Sequence, residues 1–402
     1  MKAQAFRAVG YPLRIYSGEG ALANLPDEVR RNRARRAFIV CGRTVSRKTA
    51  LIEDMKRALG PLCAGVFDEI DKDSPLACVL AARDAARAAD ADLVIAVGGG
   101  SVIQAARVVV ILLAEKGAPH ELITQYPEGK AAVSVRLSAP KLPIVNVCTL
   151  PTSAANRGGS AIKDPALDHR MEFFDPKTRP VALFWDTAAL ATAPARLALL
   201  ASVSVYWRAV MNLGAVDANP LVEGDRLQAF RLAERALARV TDPADATARI
   251  DLCAAALLQN RDADDGGAIV LRHWVMRVVY AFATALFIRY PQVAQGEANT
   301  ALTPAALRRL GARDPDAMRQ LAHALGAWQP AMARDEAWPR AAAYLEDRFR
   351  ALGLPTRVRD LGIPESGLPL LVADSLKNFN ADPQREFERE QDVLHDVLRA
   401  AW

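Results

Sequence analysis

In the first half of the chain, short apolar strand-like runs alternate with helical stretches, and this limits the possible folds more than any other feature. "RAFIVCG" is followed by "KTALIEDMKRAL", "AGVFDEI" by "LACVLAARDAARAA", and "DLVIAVGGG" by "SVIQAARVVVILLAEKG". A strand that returns parallel to its predecessor needs a crossover of helix length, so the pattern predicts βαβ units on a parallel sheet. After "PVALFWD", which ends at Asp186, strand signals almost vanish, and stretches of apolar period rich in Ala, Leu and Arg run to Trp402. The expectation is an α/β domain over residues 1–190 and an all-α domain over 191–402, with Pro- and Gly-bearing breaks between the helices of the second.

Composition excludes several classes. With 51% hydrophobic residues in 402, the chain can bury a large core. The 51 Lys and Arg against 46 Asp and Glu leave a net charge of only +5. Apart from "RRNRARR" at Arg30–Arg36, the charge is spread out, so no nucleic-acid stripe is expected. That run reads as a solvated helix end before a strand, or as a polyanion contact. The five cysteines form no CxxC pair and suit buried free thiols in a reducing compartment. No signal-peptide or membrane-spanning stretch is evident, so a cytoplasmic location without membrane contact is expected.

The run "ADLVIAVGGGSVIQAAR" places Gly98, Gly99 and Gly100 between an apolar strand and an Ala-rich helix, with Ser101 as the expected N-cap. Glycines let a backbone approach an anion closely, and the opening amides of a helix donate to phosphate, so a dinucleotide pyrophosphate would fit. A steric role in a strand-to-helix turn explains the same residues, and the spacing is not that of the common G-x-G-x-x-G fingerprint. A second odd feature is "LRHWVMRVV", which sets His273 and Arg277 one helical turn apart on an apolar segment.

The order of several segments resembles the iron-containing alcohol dehydrogenase family, within the dehydroquinate-synthase-like superfamily. "IYSGEGALANLP" is similar to its opening strand and turn, "VGGGSVIQAAR" to its pyrophosphate loop, and "VCTLPTSAA" to its Thr-Pro-Thr-Thr segment. "ALFWDTAALATAPARL" resembles its entry to the helical domain, "QGEANTALTP" its His-Gly-x-Ala-Asn-x-x-Leu-x-Pro segment, and "DVLRAAW" its last helix. The resemblance covers nearly the whole chain. It implies a Rossmann-like N-terminal domain, a helical C-terminal domain, a nicotinamide cofactor in the cleft between them, and hydride transfer at an alcohol or carbonyl carbon. By this resemblance Gly98, Gly99, Gly100, Ser101, Thr149, Thr152 and Ser153 would contact the cofactor, and Arg170 would stand for a family lysine.

Where relatives that prefer NAD carry an aspartate after the first βαβ strand, this chain has Gly42, followed by Arg43, Ser46, Arg47 and Lys48. A 2′-phosphate would meet room and donors instead of a carboxylate, so NADP(H) is favoured over NAD(H); a plain turn with solvated basic residues is the other reading.

The metal ligands of the family are replaced. The resemblance puts its aspartate at Ser204 and its three histidines at Arg208, Arg277 and Gln295, while the histidine that opens its H-x-x-x-H pair survives as His273. Arginine has no lone pair to give and repels a cation, so no metal is expected. In one reading Arg208 and Arg277 polarise the reacting oxygen or clamp a substrate carboxylate while His273 relays the proton. In the other they belong to a structural ion-pair network with acids such as Asp186, Asp217 or Glu297. Gln104, Arg107, Asn156 and Arg157 replace family residues with cationic or amide groups, which suits an anionic cofactor or substrate.

The resulting expectation is a metal-independent NAD(P)-dependent alcohol dehydrogenase or carbonyl reductase. Its substrate would be a small molecule or peptide bearing a carboxylate, as for the maleylacetate reductase branch or for branches recruited into specialised-metabolite and peptide-tailoring pathways. The alternative is an inactive member that binds nucleotide or a partner protein. Residues 1–10 could pair two copies as a homodimer.

Overall fold

The computed structural model describes every residue except 1–4, 128, 129, 131, 168, 216–218 and 268–272. Asp217, offered above as a partner for the arginines, and Leu271 and Arg272 of the His273 stretch therefore lie outside the described residues.

Eight strands form, all before residue 187: β1 Arg14–Gly18, β2 Ala37–Cys41, β3 Cys63–Phe67, β4 Leu93–Gly98, β5 Ile144–Cys148, β6 Gly159–Ile162, β7 Met171–Phe174 and β8 Ala182–Asp186. Six make a parallel sheet in the order β1-β8-β5-β4-β2-β3, and β6 and β7 form a separate antiparallel hairpin. The helices of this half are α1 Leu25–Arg31, α2 Arg43–Lys48, α3 Leu51–Leu59, α4 Leu76–Ala88, α5 Gly100–Ala114 and α6 Thr187–Ala191. Then come α7 Ala195–Leu213, α8 Pro220–Leu237, α9 Ala246–Arg261, α10 Trp274–Arg289, α11 Gln295–Leu310, α12 Pro315–Ala324, α13 Ala337–Ala351, α14 Leu368–Ser375 and α15 Gln391–Ala401. This is a Rossmann-like α/β portion followed by a helical portion.

The sheet is buried on both faces, which is why its strands read as continuous apolar runs and not as alternating ones. Ile39, Ile95, Val145 and Phe184 point to one side, against Leu25 and Val29 of α1 and Ile52 and Met55 of α3. Their neighbours Phe38, Val94, Ile144 and Leu183 point to the other, against α4 and α5.

Two compact units result: Tyr11–Ala198 with Val240–Leu257, and Met1–Gly10 with Leu199–Arg239 and Leu258–Trp402. Most of α9 thus belongs to the α/β unit. Cys253 joins the core on the α5 side, and the buried Arg249 donates to the carbonyls of Leu190 and Ala193. Residues 5–10 form no strand; the Val9 N–H donates to the Asp264 carbonyl of the helical unit at 2.6 Å. The Arg30–Arg36 run is the end of α1 and the turn into β2, as read from the sequence. All five cysteines are free, but Cys63 and Cys78 are only partly buried, because β3 is an edge strand and Cys78 sits in the first turn of α4. No helix among the described residues is long and apolar enough to cross a membrane.

Candidate active site

In an open parallel sheet, a ligand crevice forms beyond the carboxyl ends of two neighbouring strands whose chains leave in opposite directions. Here these are β2, which continues outward to β3, and β4, which continues the other way to β5. Cys41 pairs with Val97 and Gly98 with Cys148, so Gly42, Gly98–Gly100 and Thr149 emerge side by side at this edge.

The glycines are there because side chains would not fit. A Cβ at Gly98 would stand 2.8 Å from Val102, one at Gly99 3.1 Å from Leu150, and one at Gly100 3.2 Å from the Thr152 hydroxyl. The N-cap of α5 is Gly99, and no side chain caps the helix, so its first amides are available to an anion. Ser101 is not the cap expected from the sequence. Its hydroxyl accepts the Asp73 N–H at 3.1 Å and its carbonyl accepts the Ser74 hydroxyl at 2.7 Å, which ties the loop after β3 to the start of α5. Thr149 N–H donates to Gly98 O, and the Thr152 hydroxyl accepts the Ala154 N–H. Both residues shape the crevice from the β5 side, with the half-buried Ser153 beside them.

Two replacements read above as anion donors are structural instead. The Gln104 Oε1 accepts the Ala161 N–H at 3.0 Å, and Arg107, 1% exposed, donates to the carbonyls of Gly159 and Ala154. Together they fasten the β6–β7 hairpin to α5. Burial, with the charge of Arg157 next, pulls the Arg107 pKa down to about 9, so it stays protonated at neutral pH but is closed to any ligand. Arg170 donates to the Ala161 carbonyl on the same hairpin. The backbone of Asn156 accepts the Tyr11 hydroxyl.

At Gly42 the positive pocket for a 2′-phosphate is less bare than the sequence suggests. Arg43 pairs with Asp71 at 2.6 Å and Arg47 with Asp68 at 3.2 Å and Glu69 at 3.3 Å. Ser46 also bonds Asp68, and Arg47 and Ser46 hold that carboxyl below its ordinary pKa against the upward push of burial. These acids follow β3, and the parallel β2–β3 pairing brings them opposite α2.

In the helical unit, α7 packs closely on α11. A Cβ at Gly296 would come within 2.3 Å of the Leu200 carbonyl, and Trp207 Nε1–H donates to the Thr303 hydroxyl at 2.8 Å. Both contacts are seven residues apart on each helix, so α7 and the start of α11 run parallel in close register. This brings Gln295, exposed at the first position of α11, near the turn of α7 that bears the half-buried Ser204. Arg208 lies one helical turn further, on the same face as Ser204. It is only 8% exposed, and its guanidinium donates to Asn260 Oδ1 at 2.8 Å and to the Gln259 carbonyl at 3.1 Å, at the end of α9. Among the described residues no carboxylate pairs with it. Asp186 and Glu297, two acids considered above, are occupied elsewhere: Asp186 caps α6, and Glu297 accepts the Ala294 N–H.

His273 and Arg277 do not form the ligand-like pair expected from their spacing. His273 precedes the helix as the N-cap of α10, with extended backbone at φ −143°, ψ 155°. Its Nδ1 accepts the Met276 N–H at 3.2 Å and its Nε2–H donates to the Met211 carbonyl at 3.0 Å, so these bonds set the tautomer and occupy both nitrogens. Burial lowers its pKa further below the ordinary 6.5 than these partners can offset. His273 is thus a buried histidine with both nitrogens bonded, as in a satisfied core.

Arg277 is spent on the protein itself. It donates to the Ala381 carbonyl at 3.1 Å, to Asp382 at 2.6 Å and to Glu386, and stacks near Trp274 and Phe387. The ion-pair reading therefore holds for Arg277, but with two acids the sequence reading did not name. Asp382 and Glu386 are spaced i, i+4 in "ADPQREFERE", a visible signal, yet nothing local reveals which of many arginines they meet.

Comparison with known proteins identifies the family. Residues 12–187 match the family described as iron-containing alcohol dehydrogenase, and residues 202–402 match the Fe-containing alcohol dehydrogenase family, C-terminal. The chain belongs to the iron-containing alcohol dehydrogenase family. It is 24% identical over 375 residues to a maleylacetate reductase of Sphingobium indicum, covering 93% of this chain and 91% of that protein. It is 24% identical to the lactaldehyde reductase of Escherichia coli, covering 96% and 97% of the two chains. Among solved structures it resembles a 1,3-propanediol oxidoreductase (TM-score 0.84, 21% identity, 99% and 100% covered). It also resembles an NADH-dependent butanol dehydrogenase from Thermotoga maritima (TM-score 0.82, 17% identity, 99% and 100% covered).

The family's name raises the question of a metal. The residues that the resemblance puts at its ligand positions, Ser204, Arg208, Arg277 and Gln295, carry a hydroxyl, two guanidiniums and an amide, a donor set that does not fit a divalent cation. Among the described residues no three His, Cys, Asp or Glu side chains converge as a metal-holding group.

Proposed function

We propose that this family member is a metal-independent oxidoreductase acting on an alcohol or carbonyl in a substrate that carries a carboxylate, with Arg208 receiving that anion. The observation that carries the reading is a nearly buried guanidinium whose partners among the described residues are two neutral acceptors. Such a charge is costly to keep dry unless an anion joins it, and arginine matches a carboxylate bidentately. Ser204, on the same face of α7, supplies a hydroxyl beside it, and exposed Gln295 an amide; these replace the work first assigned to His273 and Arg277. Relatives named maleylacetate reductases are in keeping with an acidic substrate, whether a small acid or the C-terminus of a peptide.

The crevice at Gly98–Gly100 fits a nicotinamide dinucleotide, with the pyrophosphate against the uncapped start of α5 and Thr149, Thr152 and Ser153 along it. When bound, this cofactor supplies or accepts the hydride. NADP(H) is the proposed form. Gly42 leaves room at the ribose, and Arg43 can exchange an exposed carboxylate partner, in a pair worth about 0–1 kcal/mol, for a phosphate dianion.

The test is hydride transfer by the purified protein, with metal content measured in parallel, on paired carbonyl substrates that differ in a carboxylate. Turnover that survives chelation and favours the acid is expected. A tightly held stoichiometric metal needed for turnover, or equal use of both substrates, overturns the proposal. The capped His273 favours a second reading, a nucleotide-binding protein without catalysis, which predicts NADPH binding and no turnover even on carboxylated substrates, peptides included.

A further inference from the structure

We infer that the helical unit holds a binding site for a small, multiply charged anion at the end of α11, a site that plays no part in the oxidoreductase reading. Ala305, Arg308 and Arg309 lie at i, i+3, i+4 on the last turns of α11 and so share one face. With Arg357, just before the short turn Val358–Leu361, and Ala400 of α15, they line a cavity of about 370 Å³. The two alanines leave the space open and give it an apolar floor; the three arginines form its wall.

The charges of that wall are poorly matched by the protein. Arg308 bonds Glu346, but this largely buried carboxylate also bonds Arg350, so one acid serves two guanidiniums. Among the described residues Arg309 pairs with Asp396, at 3.5 Å, with both side chains more than half exposed (52% and 55%), a pair of little worth in water. Arg357 donates to a neutral carbonyl, that of Ala400, at 3.0 Å. Placement near helix C-termini explains why isolated arginines are tolerated here. It does not explain three that converge on one cavity, where like charges repel.

An anion in the cavity removes that repulsion. The guanidinium fork matches phosphate and carboxylate oxygens, and the volume lies near the lower end for small-molecule sites, so the ligand is compact. A cavity lined by five residues is small for nucleic acid, which takes an extended basic track. The shared chemistry is a dense charge of two or more on a short carbon skeleton, found in phosphate monoesters and in polycarboxylates.

Hydrogen–deuterium exchange on the full-length protein reads this site locally, which matters because phosphate would also occupy the glycine crevice. Inorganic phosphate, citrate and sodium chloride are compared at equal ionic strength, following peptides that cover residues 352–363 and 391–402. Saturable protection of both segments by phosphate, by citrate or by both is expected; the pattern tells a phosphate reader from a polycarboxylate reader. In Arg309→Gln/Arg357→Gln, which leaves Arg308 on Glu346, the apparent Kd should rise by roughly tenfold or more, while phosphate protection around residues 98–104 stays unchanged. The single variant Arg357→Gln guards against misfolding of the double one and should weaken binding less. Equal protection by chloride, no protection by either anion, or undiminished protection in the variants overturns the inference.

Discussion

Replacing Arg208 by methionine separates a guanidinium kept for an anion from one kept for the fold. The side chain is 8% exposed and makes two hydrogen bonds, to Asn260 and the Gln259 carbonyl. Bonds from a charged donor contribute about 1.5–3 kcal/mol each, so the pair offers about 3–6 kcal/mol. Removing a guanidinium from water with no counter-ion costs several kcal/mol. These terms nearly cancel, and methionine keeps an unbranched stem in the same space. Stability, read from the urea midpoint and slope, should therefore change by no more than about 2 kcal/mol. Transition-state binding should suffer far more. Loss of a partly dry arginine–carboxylate pair at about 2–5 kcal/mol lowers kcat/KM by roughly 30-fold to several thousand-fold on the carboxylated substrate, with little change on its neutral analogue. If the variant instead loses more than about 3 kcal/mol of stability and slows both substrates alike, Arg208 is a structural strut and the anion reading is wrong.

Five further outcomes are expected. Arg277→Met should leave Asp382 as a buried acid without its cation and lower stability by about 3 kcal/mol or more, with kcat of the folded fraction unchanged; a kcat collapse at intact stability would restore the clamp role to Arg277. His273→Asn can still cap α10 but loses the Met211 bond, so about 1–2 kcal/mol of stability should go while turnover persists; a hundredfold fall in kcat would return His273 to proton transfer. Because burial lowers the His273 pKa below 6.5, the folded state takes up this proton less readily than the unfolded chain, and wild-type stability should decline as the pH falls below 6.5; His273→Asn should flatten that decline. Asp71→Asn removes the nearer acid from Arg43, leaving the longer 3.6 Å contact with Glu69, and should tighten NADPH binding by several-fold with NADH unchanged in fluorescence titrations, whereas an equal effect on both nucleotides would place Arg43 away from the 2′-position. Gly296→Ala forces a methyl against the Leu200 carbonyl and should lower the Tm by several degrees while raising KM through displaced Gln295; an unchanged Tm would contradict the close α7–α11 packing.

The class of fold and the place of the glycine crevice were legible in the sequence. Both follow from local physics: apolar runs bounded by turns, helices of crossover length, and glycines where a Cβ would strike Val102, Leu150 or Thr152. By the resemblance it also suggests Ser204, Arg208, Arg277 and Gln295 at the family's metal positions, a reading that the metal measurement proposed above tests. What it could not give was partnership across long separations. Arg208 and Arg277 look equivalent in the chain, two guanidiniums at ligand positions. Among the described residues, tertiary packing brings Asp382 and Glu386 to Arg277, but an amide and a carbonyl to Arg208, more than fifty residues away in sequence in each case. Nor does the i, i+4 spacing of His273 and Arg277 reveal that His273 is the N-cap of α10, with its ring on the Met276 N–H and the Met211 carbonyl. The bonds that tie α9 into the α/β unit through Arg249, and the acids that answer Arg43 and Arg47, lie equally beyond any local pattern. A buried charge is defined by what surrounds it, and only the folded chain decides those surroundings.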